Sequence, residues 1–379
     1  MKVAVVGGGI AGTAAAWALR RGGADVTLFH DRAGASALYA GALDVTGWEE
    51  DPEDESVEPE LVAFATAFEA WTVGTRGARV ATYDGVLRPA RGVDSALLDL
   101  RALAGRVVFV PDAPVDGWDA GSLVRALGAS RLAVQSRISF RVARVAGMVD
   151  AAEGSGSPFD VAALHDDATR VERLAECLAQ GEPSADAWLL GPWLGTRPGV
   201  ADRLRQLLGK PCGETTSPPG GAAGARFEAS RDSLLVGCGV HVRRTSVGSV
   251  ERHAHRFRVA PRSRTATVDD SGFDVVVLAI GGLASGLSME ENGFGASLEG
   301  PFSVGIGHRA VGRPSTTHGV DVAALGLHAL ESVGIVSEGS AVSGEAGLFV
   351  AGDCVMRRPR TALEAASAGI AAASLARQG

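Results

Sequence analysis

The sequence predicts an α/β protein with a Rossmann-like core, and three stretches along its 379 residues support this prediction. An apolar run over residues 2–6 leads directly into a glycine-rich motif, and a second apolar run ends at Gly281-Gly282. A third ends in Gly352-Asp353 near the C-terminus. Buried parallel strands are continuous apolar runs of this kind, and glycine permits the tight turns that join them to helices.

The N-terminal motif has the spacing of a dinucleotide-binding turn. Residues 7–12 read Gly-Gly-Gly-Ile-Ala-Gly, an Ala- and Leu-rich helical stretch follows to Arg21, and residues 25–29 form a second apolar run. The first glycine permits the turn, the second lets the backbone approach a pyrophosphate, and the third lets the helix pack on the strand. The phosphates then lie at the helix N-terminus. The residues expected at the pyrophosphate are Gly7, Gly9, Ile10, Ala11 and Gly12.

The end of the second strand departs from the usual pattern. An acid that binds the adenosine ribose commonly stands there, whereas this sequence has His30, followed by Asp31. Either Asp31 substitutes for the acid, or the adenosine half is held differently, or that half is absent. Asp31 is equally consistent with a loop cap.

The C-terminal half contains segments typical of flavoproteins with two dinucleotide-binding domains. Residues 279–282, Ala-Ile-Gly-Gly, are similar to their Ala-Thr-Gly-Gly strand end, so Ala279, Gly281 and Gly282 are expected near the cofactor. Gly352-Asp353 follows another apolar run, where Asp353 would accept hydrogen bonds from the ribityl chain. Residues 361–364 form a capping box that opens a helix at Thr361 and Ala362. That helix is either purely structural or directed at the flavin pyrimidine edge.

These segments predict a flavin domain that is discontinuous in sequence. We expect residues 1–48, 230–290 and 340–379 to form the flavin domain, residues 49–229 to form an inserted cap or partner domain, and residues 291–339 to return to the flavin face.

Composition excludes several other classes of protein. The formal net charge of −8 does not suggest a nucleic-acid partner. The sequence has no run of 18 apolar residues, so no transmembrane helix is expected. No two of the four cysteines have Cys-x-x-Cys spacing, so neither an iron–sulfur cluster nor a structural zinc is expected in this chain. A cytoplasmic protein without a metal site is the expectation.

Several segments, in order along the chain, resemble the B subunit of anaerobic glycerol-3-phosphate dehydrogenase. Residues 36–44 are similar to the family's Ser-Ala-Leu…Gly-Ser-Leu-Asp segment, and Ser36 and Gly41 within it are expected at the cofactor. Residues 85–89 resemble its Gly…Arg-Pro turn, and residues 207–226 resemble its Leu-Gly-x-Pro, Pro-Pro and Gly-Ile-Arg-Leu series. Gly352-Asp353 departs from that family and is closer to flavoproteins in general.

The resemblance implies a subunit of a complex that oxidises glycerol 3-phosphate to dihydroxyacetone phosphate and passes electrons to a quinone. The partners it implies are a catalytic flavoprotein subunit and an iron–sulfur membrane-anchor subunit, so this chain would lie peripherally on the inner face of the membrane. The family is associated with FMN, whereas the fold predicts FAD, and both remain open. A stand-alone oxidoreductase of the fumarate-reductase or amino-acid-oxidase type and a scaffold that has lost its flavin are the alternatives.

The sequence offers weaker candidates for catalysis. No histidine lies between His30 and His165, so the flavin is expected to be non-covalent. Arg226 could bind a phosphate or carboxylate bidentately, and Arg309 and His318 lie in a region that often faces the isoalloxazine ring. His318-Gly319 is similar to the His-Gly turn of fumarate-reductase-like enzymes. A surface role for Arg226 and a structural role for the histidine are the alternatives.

Overall fold

The structure, a computed structural model, describes residues 1–32, 34–43, 57–148, 156–263, 272–283, 285–290, 293–306, 309–311, 333–356 and 361–378. Its contacts divide the chain into two compact units. Unit 1 combines Met1–Ser36 with Arg231–Gly379, and unit 2 is Ala37–Ser230. The sequence predicted that the flavin domain is interrupted after residue 48 and resumes after residue 229, whereas the units divide after residues 36 and 230. The segment 291–339, which we predicted separately, falls within unit 1.

A mainly parallel sheet organises unit 1. In spatial order its strands are β10 (His241–Arg244), β2 (Asp25–His30), β1 (Lys2–Val6), β13 (Val275–Leu278), β21 (Leu348–Val350), β20 (Ala341–Val342) and β19 (Ser337–Glu338). The first five are parallel, and the last two continue the sheet antiparallel. Numbered by their appearance in the chain, the parallel strands have the order 3-2-1-4-5 of a Rossmann domain. The α/β fold with a discontinuous Rossmann-like domain is therefore confirmed.

The central strands of this sheet are buried on both faces. Helices pack on one face, and on the other Val6 and Leu278 share a buried cluster with Val250 and Phe257. Val3, Val5, Val277 and Leu348 have no exposed surface, as expected where helices pack on a parallel sheet. Helix α1 (Ile10–Arg21) and the C-terminal helix α9 (Ala362–Ala376) pack against each other. The boundary between the two units falls after residue 230, within helix α8 (Ala222–Gly237).

Two antiparallel pairs and one three-stranded antiparallel sheet are also found in the described part of unit 1. The strands are β11 (Val247–His253) with β12 (Arg256–Pro261), β14 (Leu287–Glu290) with β15 (Gly293–Ala296), and β16 (Val304–Ile306) between β17 (Arg309–Val311) and β18 (Val333–Ile335).

Unit 2 contains two sheets of its own. One is antiparallel, in the order β3 (Ala42–Leu43), β5 (Leu87–Asp94), β4 (Trp71–Ala81). The other is parallel, in the order β7 (Ser139–Arg144), β6 (Val107–Asp112), β8 (Ala187–Leu190), β9 (Cys212–Glu214). Its helices are α2 (Pro59–Phe68), α3 (Ala120–Ala129), α4 (Arg131–Ser136), α5 (Pro158–Leu164), α6 (Ala168–Gly181) and α7 (Val200–Leu208). Trp188, Trp193 and Leu178 are fully buried in the core of the parallel sheet.

Candidate cofactor-binding site

The glycine turn lies where the strand order of the unit 1 sheet reverses. Strands β1 and β13 are neighbours, and Val6 pairs with Leu278, so both strands end at the same edge. Ligands of open α/β sheets bind at the carboxyl ends of the strands at this reversal. The predicted segments Gly7–Gly12 and Ala279–Gly282 follow these two strand ends directly. The topology therefore brings the two halves of the predicted site together.

Glycine is required at the start of the turn for two reasons. Gly7 has φ +115°, a conformation that side chains disfavour, and a Cβ there would lie 2.1 Å from the carbonyl oxygen of Ala279. A Cβ on Gly12 would lie 1.9 Å from the carbonyl oxygen of Gly7. The turn thus brings α1 against the ends of β1 and β13 with no room for side chains.

The start of α1 presents backbone amides rather than a side-chain cap. Gly9 is the N-cap and makes no side-chain hydrogen bond, while the amides of the first turn lack acceptors within the helix. The Ile10 amide donates to Ser36 Oγ at 3.0 Å. Among the described residues, a Cβ on Gly9 would meet only Ser36, with Oγ at 2.9 Å and Cβ at 4.0 Å, so Ser36 is the side chain that borders the approach to the amides of Ile10 and Ala11. This cradle fits a pyrophosphate, because the helix dipole and the amides favour negative charge.

Residues from the C-terminal segments pack against the same turn. A Cβ on Gly352 would lie 2.6 Å from Ala11 Cβ, and one on Gly369 of α9 would lie 2.2 Å from the Ala11 carbonyl oxygen. Asp353 lies beside Gly352 in a short 3-10 helix. Thr361 Oγ1 accepts from the Glu364 amide at 3.4 Å and caps α9, which begins at Ala362. The structure therefore brings the Gly352-Asp353 pair to the first turn of α1.

His30 ends β2 and lies against the turn. A Cβ on Gly8 would lie 2.8 Å from His30 Cγ. Neither His30 nitrogen is exposed or has a hydrogen-bond partner among the described residues. Burial first, and then the Arg231 guanidinium, lower the pKa of His30. Asp31 is partly exposed, and its Oδ1 lies 3.6 Å from Arg32 Nε.

Arg231, which we did not predict, is a buried cation beside the turn. It is 3% exposed, and its Nη1 donates to the Gly8 carbonyl oxygen at 3.3 Å. Its Nε donates to Asp232 Oδ1 at 2.9 Å. Nothing in the local sequence distinguishes Arg231 from the other arginines, because its position depends on how α8 packs in unit 1.

Three of the other predicted site residues, Gly41, Arg309 and His318, are not shown at the glycine turn. Gly41 belongs to unit 2, where a Cβ would lie 3.3 Å from Asp94 Cβ. Arg309 lies in β17, and its side chain is outside the described part of the structure. His318 is also outside the described residues. The proposed roles of these residues stay predictions.

Arg226 is buried in unit 2 with two carboxylates. Its Nε donates to Asp94 Oδ1 at 2.8 Å, its Nη2 to Glu214 Oε2 at 2.7 Å, and its Nη1 to the Gly195 carbonyl at 2.8 Å. Asp94 and Glu214 have no exposed surface, and Arg226 is 1% exposed. Arg226 is therefore not at the protein surface, which corrects the alternative of a surface role.

Two further groups donate to the carboxylates of this buried cluster. Tyr39 Oη donates to Asp94 Oδ2 at 2.6 Å, and the Leu194 amide donates to Glu214 Oε1. Burial raises the pKa of Glu214 to about 7, with Arg226 opposing the shift and Asp94 adding to it. Burial and Asp94 raise the pKa of Tyr39. The sequence did not reveal Asp94 or Glu214 as partners of Arg226, because they come from strands β5 and β9.

The comparisons with known proteins agree with the N-terminal turn. Residues 5–42 match the family described as the NAD(P)-binding Rossmann-like domain. A search of curated protein sequences gave no match. The matched stretch covers the end of β1, the glycine turn, α1 and β2. The chain is therefore similar to this family at the segment that forms the glycine turn described above.

Solved structures show only distant likeness. The GidA-related protein from Thermus thermophilus is 10% identical over 100% of this chain and 98% of its own, with a TM-score of 0.36. An oxidoreductase from Agrobacterium tumefaciens is 14% identical over 100% and 98%, with a TM-score of 0.26. The 3-ketosteroid delta1-dehydrogenase from Sterolibacterium denitrificans is 14% identical over 74% and 47%, with a TM-score of 0.27. The fold assignment therefore rests on the sheet topology and the matched segment.

Two further features of the described residues bear on the predictions. Among them, no helix is both long and apolar enough to cross a membrane. The same part of the chain contains no group of three or more histidine, cysteine, aspartate or glutamate side chains able to hold a metal ion.

Proposed function

We propose that this chain is a flavin-dependent oxidoreductase that binds FAD non-covalently in unit 1. The observation that carries the proposal is the cradle of Gly9, Ile10 and Ala11 at the strand-order reversal of the sheet. FAD contains the pyrophosphate that such a cradle holds, whereas FMN does not. The match of residues 5–42 to a dinucleotide-binding family supports the same choice.

The residues of the site would bind and orient the cofactor. The Ala11 amide would donate to the pyrophosphate, and the Ile10 amide would do so in exchange for its hydrogen bond to Ser36 Oγ. Asp353 would accept hydrogen bonds from the ribityl hydroxyls, and the N-terminus of α9 would favour negative charge on the flavin. Bound FAD supplies the hydride or electron transfer.

Within this class, we propose the B subunit of anaerobic glycerol-3-phosphate dehydrogenase as the specific function. This finer proposal rests on the ordered resemblance of residues 36–44, 85–89 and 207–226. It places the chain with a catalytic flavoprotein subunit and an iron–sulfur membrane-anchor subunit, on the inner face of the membrane, in the oxidation of glycerol 3-phosphate.

The first test is the absorbance spectrum of the purified chain, with mass spectrometry of the cofactor released by acid. Flavin bands at about 370 and 450 nm, with FAD in the extract, are expected. FMN in the extract would overturn the choice of FAD. A colourless protein that neither FAD nor FMN reconstitutes would overturn the flavoprotein proposal.

The finer proposal needs a separate experiment. The chain is co-expressed with candidate iron–sulfur and dehydrogenase subunits, and reduction of a quinone analogue by glycerol 3-phosphate is measured with and without it. Loss of quinone reduction when this chain is omitted is expected. Full activity without it, or no co-purification with either subunit, would contradict membership of such a complex.

A further inference from the structure

One border of the parallel sheet in unit 2 carries charge of a single sign. Helices α3 and α4 and strand β7 follow one another over residues 120–144, which contain five arginines and neither aspartate nor glutamate. The whole chain has a formal net charge of −8, and the surfaces of soluble proteins usually mix charges of both signs. We call the surface formed by α3, α4 and β7 the basic edge.

Most of these arginines lack an acidic partner. Four of them are exposed, and their side chains make no hydrogen bond or ion pair with the described residues: Arg131, Arg137, Arg141 and Arg144. The fifth, Arg125, donates to Ser122 Oγ at 2.8 Å, close to Asp119, the N-cap of α3. By contrast, Arg203 Nη2, also in unit 2, lies 3.0 Å from Glu172 Oε1. The basic edge therefore has positive charge that the described part of the chain does not neutralise.

The three elements of the basic edge form one continuous piece of surface. Helix α3 packs against both β7 and α4. The buried side chains of the three elements belong to a single hydrophobic cluster that includes Ala120, Leu123, Leu127, Ala133, Ile138 and Phe140. Two valines lie outside this cluster, Val134 of α4 with 66% and Val142 of β7 with 41% of its surface exposed. A partner of the basic edge would therefore contact valine side chains as well as arginines.

Strand β7 also has a free side. It pairs with β6 from Ser139, opposite Val107, to Arg144, opposite Asp112. No ion pair joins Arg144 to Asp112. Among the described residues, no strand pairs with the other side of β7. Such an edge presents a row of backbone N–H and C=O groups that can pair with an added strand.

The charge and the free side of β7 together distinguish between possible occupants. A second copy of β7 would bring the arginines of both copies together, and like charges on paired strands are destabilising. An anionic membrane would attract arginines, but it offers no strand to the backbone groups of β7. Charged side chains on edge strands also prevent aggregation, yet Arg125, Arg131 and Arg137 lie outside β7, where that purpose does not require them. An acidic extended segment satisfies both the arginines and the backbone groups.

We propose that the basic edge is a docking surface for an acidic, extended segment of a partner protein, which adds to the sheet as a strand beside β7. The carboxylates of the segment contact Arg141 and Arg144 and its apolar side chains contact Val142, while Arg131 and Arg137 add to the attraction. The proposal does not depend on the proposed function, because all these residues belong to unit 2 and none belongs to the candidate cofactor site in unit 1.

The test measures binding of fluorescent peptides of the length of β7 to the purified chain by fluorescence anisotropy. The probe alternates glutamate with valine and should bind saturably. A peptide that alternates lysine with valine should not bind. One that alternates glutamate with proline should bind at least about tenfold more weakly, because proline keeps the charge but removes backbone donors. Raising NaCl from about 0.1 to about 1 M, which shortens the Debye length from about 10 to about 3 Å, should weaken binding of the probe.

Charge reversal locates the surface that binds the probe. In the double variant Arg141→Glu/Arg144→Glu, binding should weaken by about tenfold or more, since two attractions become repulsions. The matched control reverses two exposed arginines outside the basic edge, Arg197→Glu/Arg243→Glu, and should bind the probe as the wild type does. Circular dichroism verifies that each variant is folded, and Arg141→Gln/Arg144→Gln takes the place of the first variant if that one does not fold.

A wild-type chain that does not bind the probe, or that binds the glutamate–proline peptide equally well, would overturn the proposal. An equal loss of binding in the control would do the same, because net charge rather than the basic edge would then attract the peptide. Vesicles of phosphatidylglycerol and duplex DNA are tested in parallel. If either binds through Arg141 and Arg144 while the probe does not, the surface recognises a membrane or a nucleic acid instead of an acidic strand.

Discussion

At the residue scale, the absence of a side chain at Gly9 defines the phosphate cradle. A Cβ there would lie 2.9 Å from the Ser36 hydroxyl, which can move, and would not meet backbone. We therefore expect Gly9→Val to fold but to lose FAD, because the added methyl groups occupy the space in front of the Ile10 and Ala11 amides. Fluorescence titration should show binding weakened by about a hundredfold or more, equivalent to about 2.7 kcal/mol.

Gly237→Val is the matched control, because it places the same side chain at the exposed end of α8, where nothing lies within 4 Å of a Cβ. It should bind FAD as the wild type does. Purification of Gly9→Val with a full complement of FAD would contradict the proposed position of the pyrophosphate.

Glu214 gives a prediction about pH. Protonated Glu214 leaves Asp94 and Arg226 as a balanced buried pair, whereas its ionisation adds an uncompensated negative charge. Its pKa is raised to about 7 from 4.5, so the folded chain binds more protons than the unfolded chain between these pH values. The free energy of unfolding should therefore fall as pH rises from 5 to 7, by up to about 1.4 kcal/mol per pH unit from this group.

Glu214→Gln tests this, because glutamine resembles the protonated acid. Urea unfolding at pH 5, 6 and 7, followed by tryptophan fluorescence, should show a smaller loss of stability in the variant. The lowered pKa of His30 makes stability rise with pH instead. Because His30 is present in both proteins, its contribution cancels when the pH dependence of the variant is subtracted from that of the wild type. Parallel pH dependences for the two proteins would show that Glu214 remains ionised at pH 5.

At the scale of elements, the cradle depends on the close packing of α1 and α9. A Cβ on Gly369 would lie 2.2 Å from the Ala11 carbonyl oxygen and 3.0 Å from the Ala15 amide nitrogen, both backbone atoms that cannot move independently. Gly369→Ala should therefore push the helices apart, at a cost of about 1–3 kcal/mol, and weaken FAD binding because Ala11 belongs to the cradle.

The measurements are the unfolding midpoint of the apoprotein and the FAD dissociation constant. Gly237→Ala, another helical glycine in unit 1 with open space around it, should leave both unchanged or raise stability by about 0.5–1 kcal/mol. If Gly369→Ala is as stable as the wild type and binds FAD equally, the close packing of these helices is not what shapes the cradle.

At the scale of the whole molecule, the candidate cofactor residues other than Gly41 belong to one unit and the buried charge cluster to the other. Gly9, Ser36 and Gly352 are in unit 1, whereas Asp94, Glu214 and Arg226 are in unit 2. We expect calorimetry to resolve two unfolding transitions and FAD to raise only the one assigned to unit 1. A ligand at 100 times its dissociation constant adds about 2.7 kcal/mol to the state that binds it.

Flavin and tryptophan fluorescence can assign the transitions. Release of FAD reports on unit 1. Tryptophan emission reports mainly on unit 2, which contains five of the six tryptophans, all but Trp17. Arg226→Met leaves two buried carboxylates without their cation. It should therefore lower the free energy of unfolding of unit 2 by about 3–5 kcal/mol. A single transition that FAD and Arg226→Met both shift would show that the units unfold as one cooperative block.

The sequence by itself determined the local parts of the fold. Strand β1, the turn at Gly7–Gly12, helix α1 and strand β2 are adjacent in the chain, and their apolar pattern and glycine spacing predicted them. The same reasoning applied to β13 and to the Gly352-Asp353 segment, since each is a short apolar run that ends in a turn. Backbone sterics and burial act within a few residues, so such elements can be recognised locally.

Only the tertiary structure decided which distant residues meet. It placed Ser36 at the Ile10 amide, Gly369 at the Ala11 carbonyl and Arg231 at Gly8, and it gathered Asp94 and Glu214 around Arg226. These groups are separated by many residues in the chain, and each contact depends on strand order and helix packing. Hydrogen bonding and charge pairing act over a few ångströms in space, a distance that a single sequence does not encode locally.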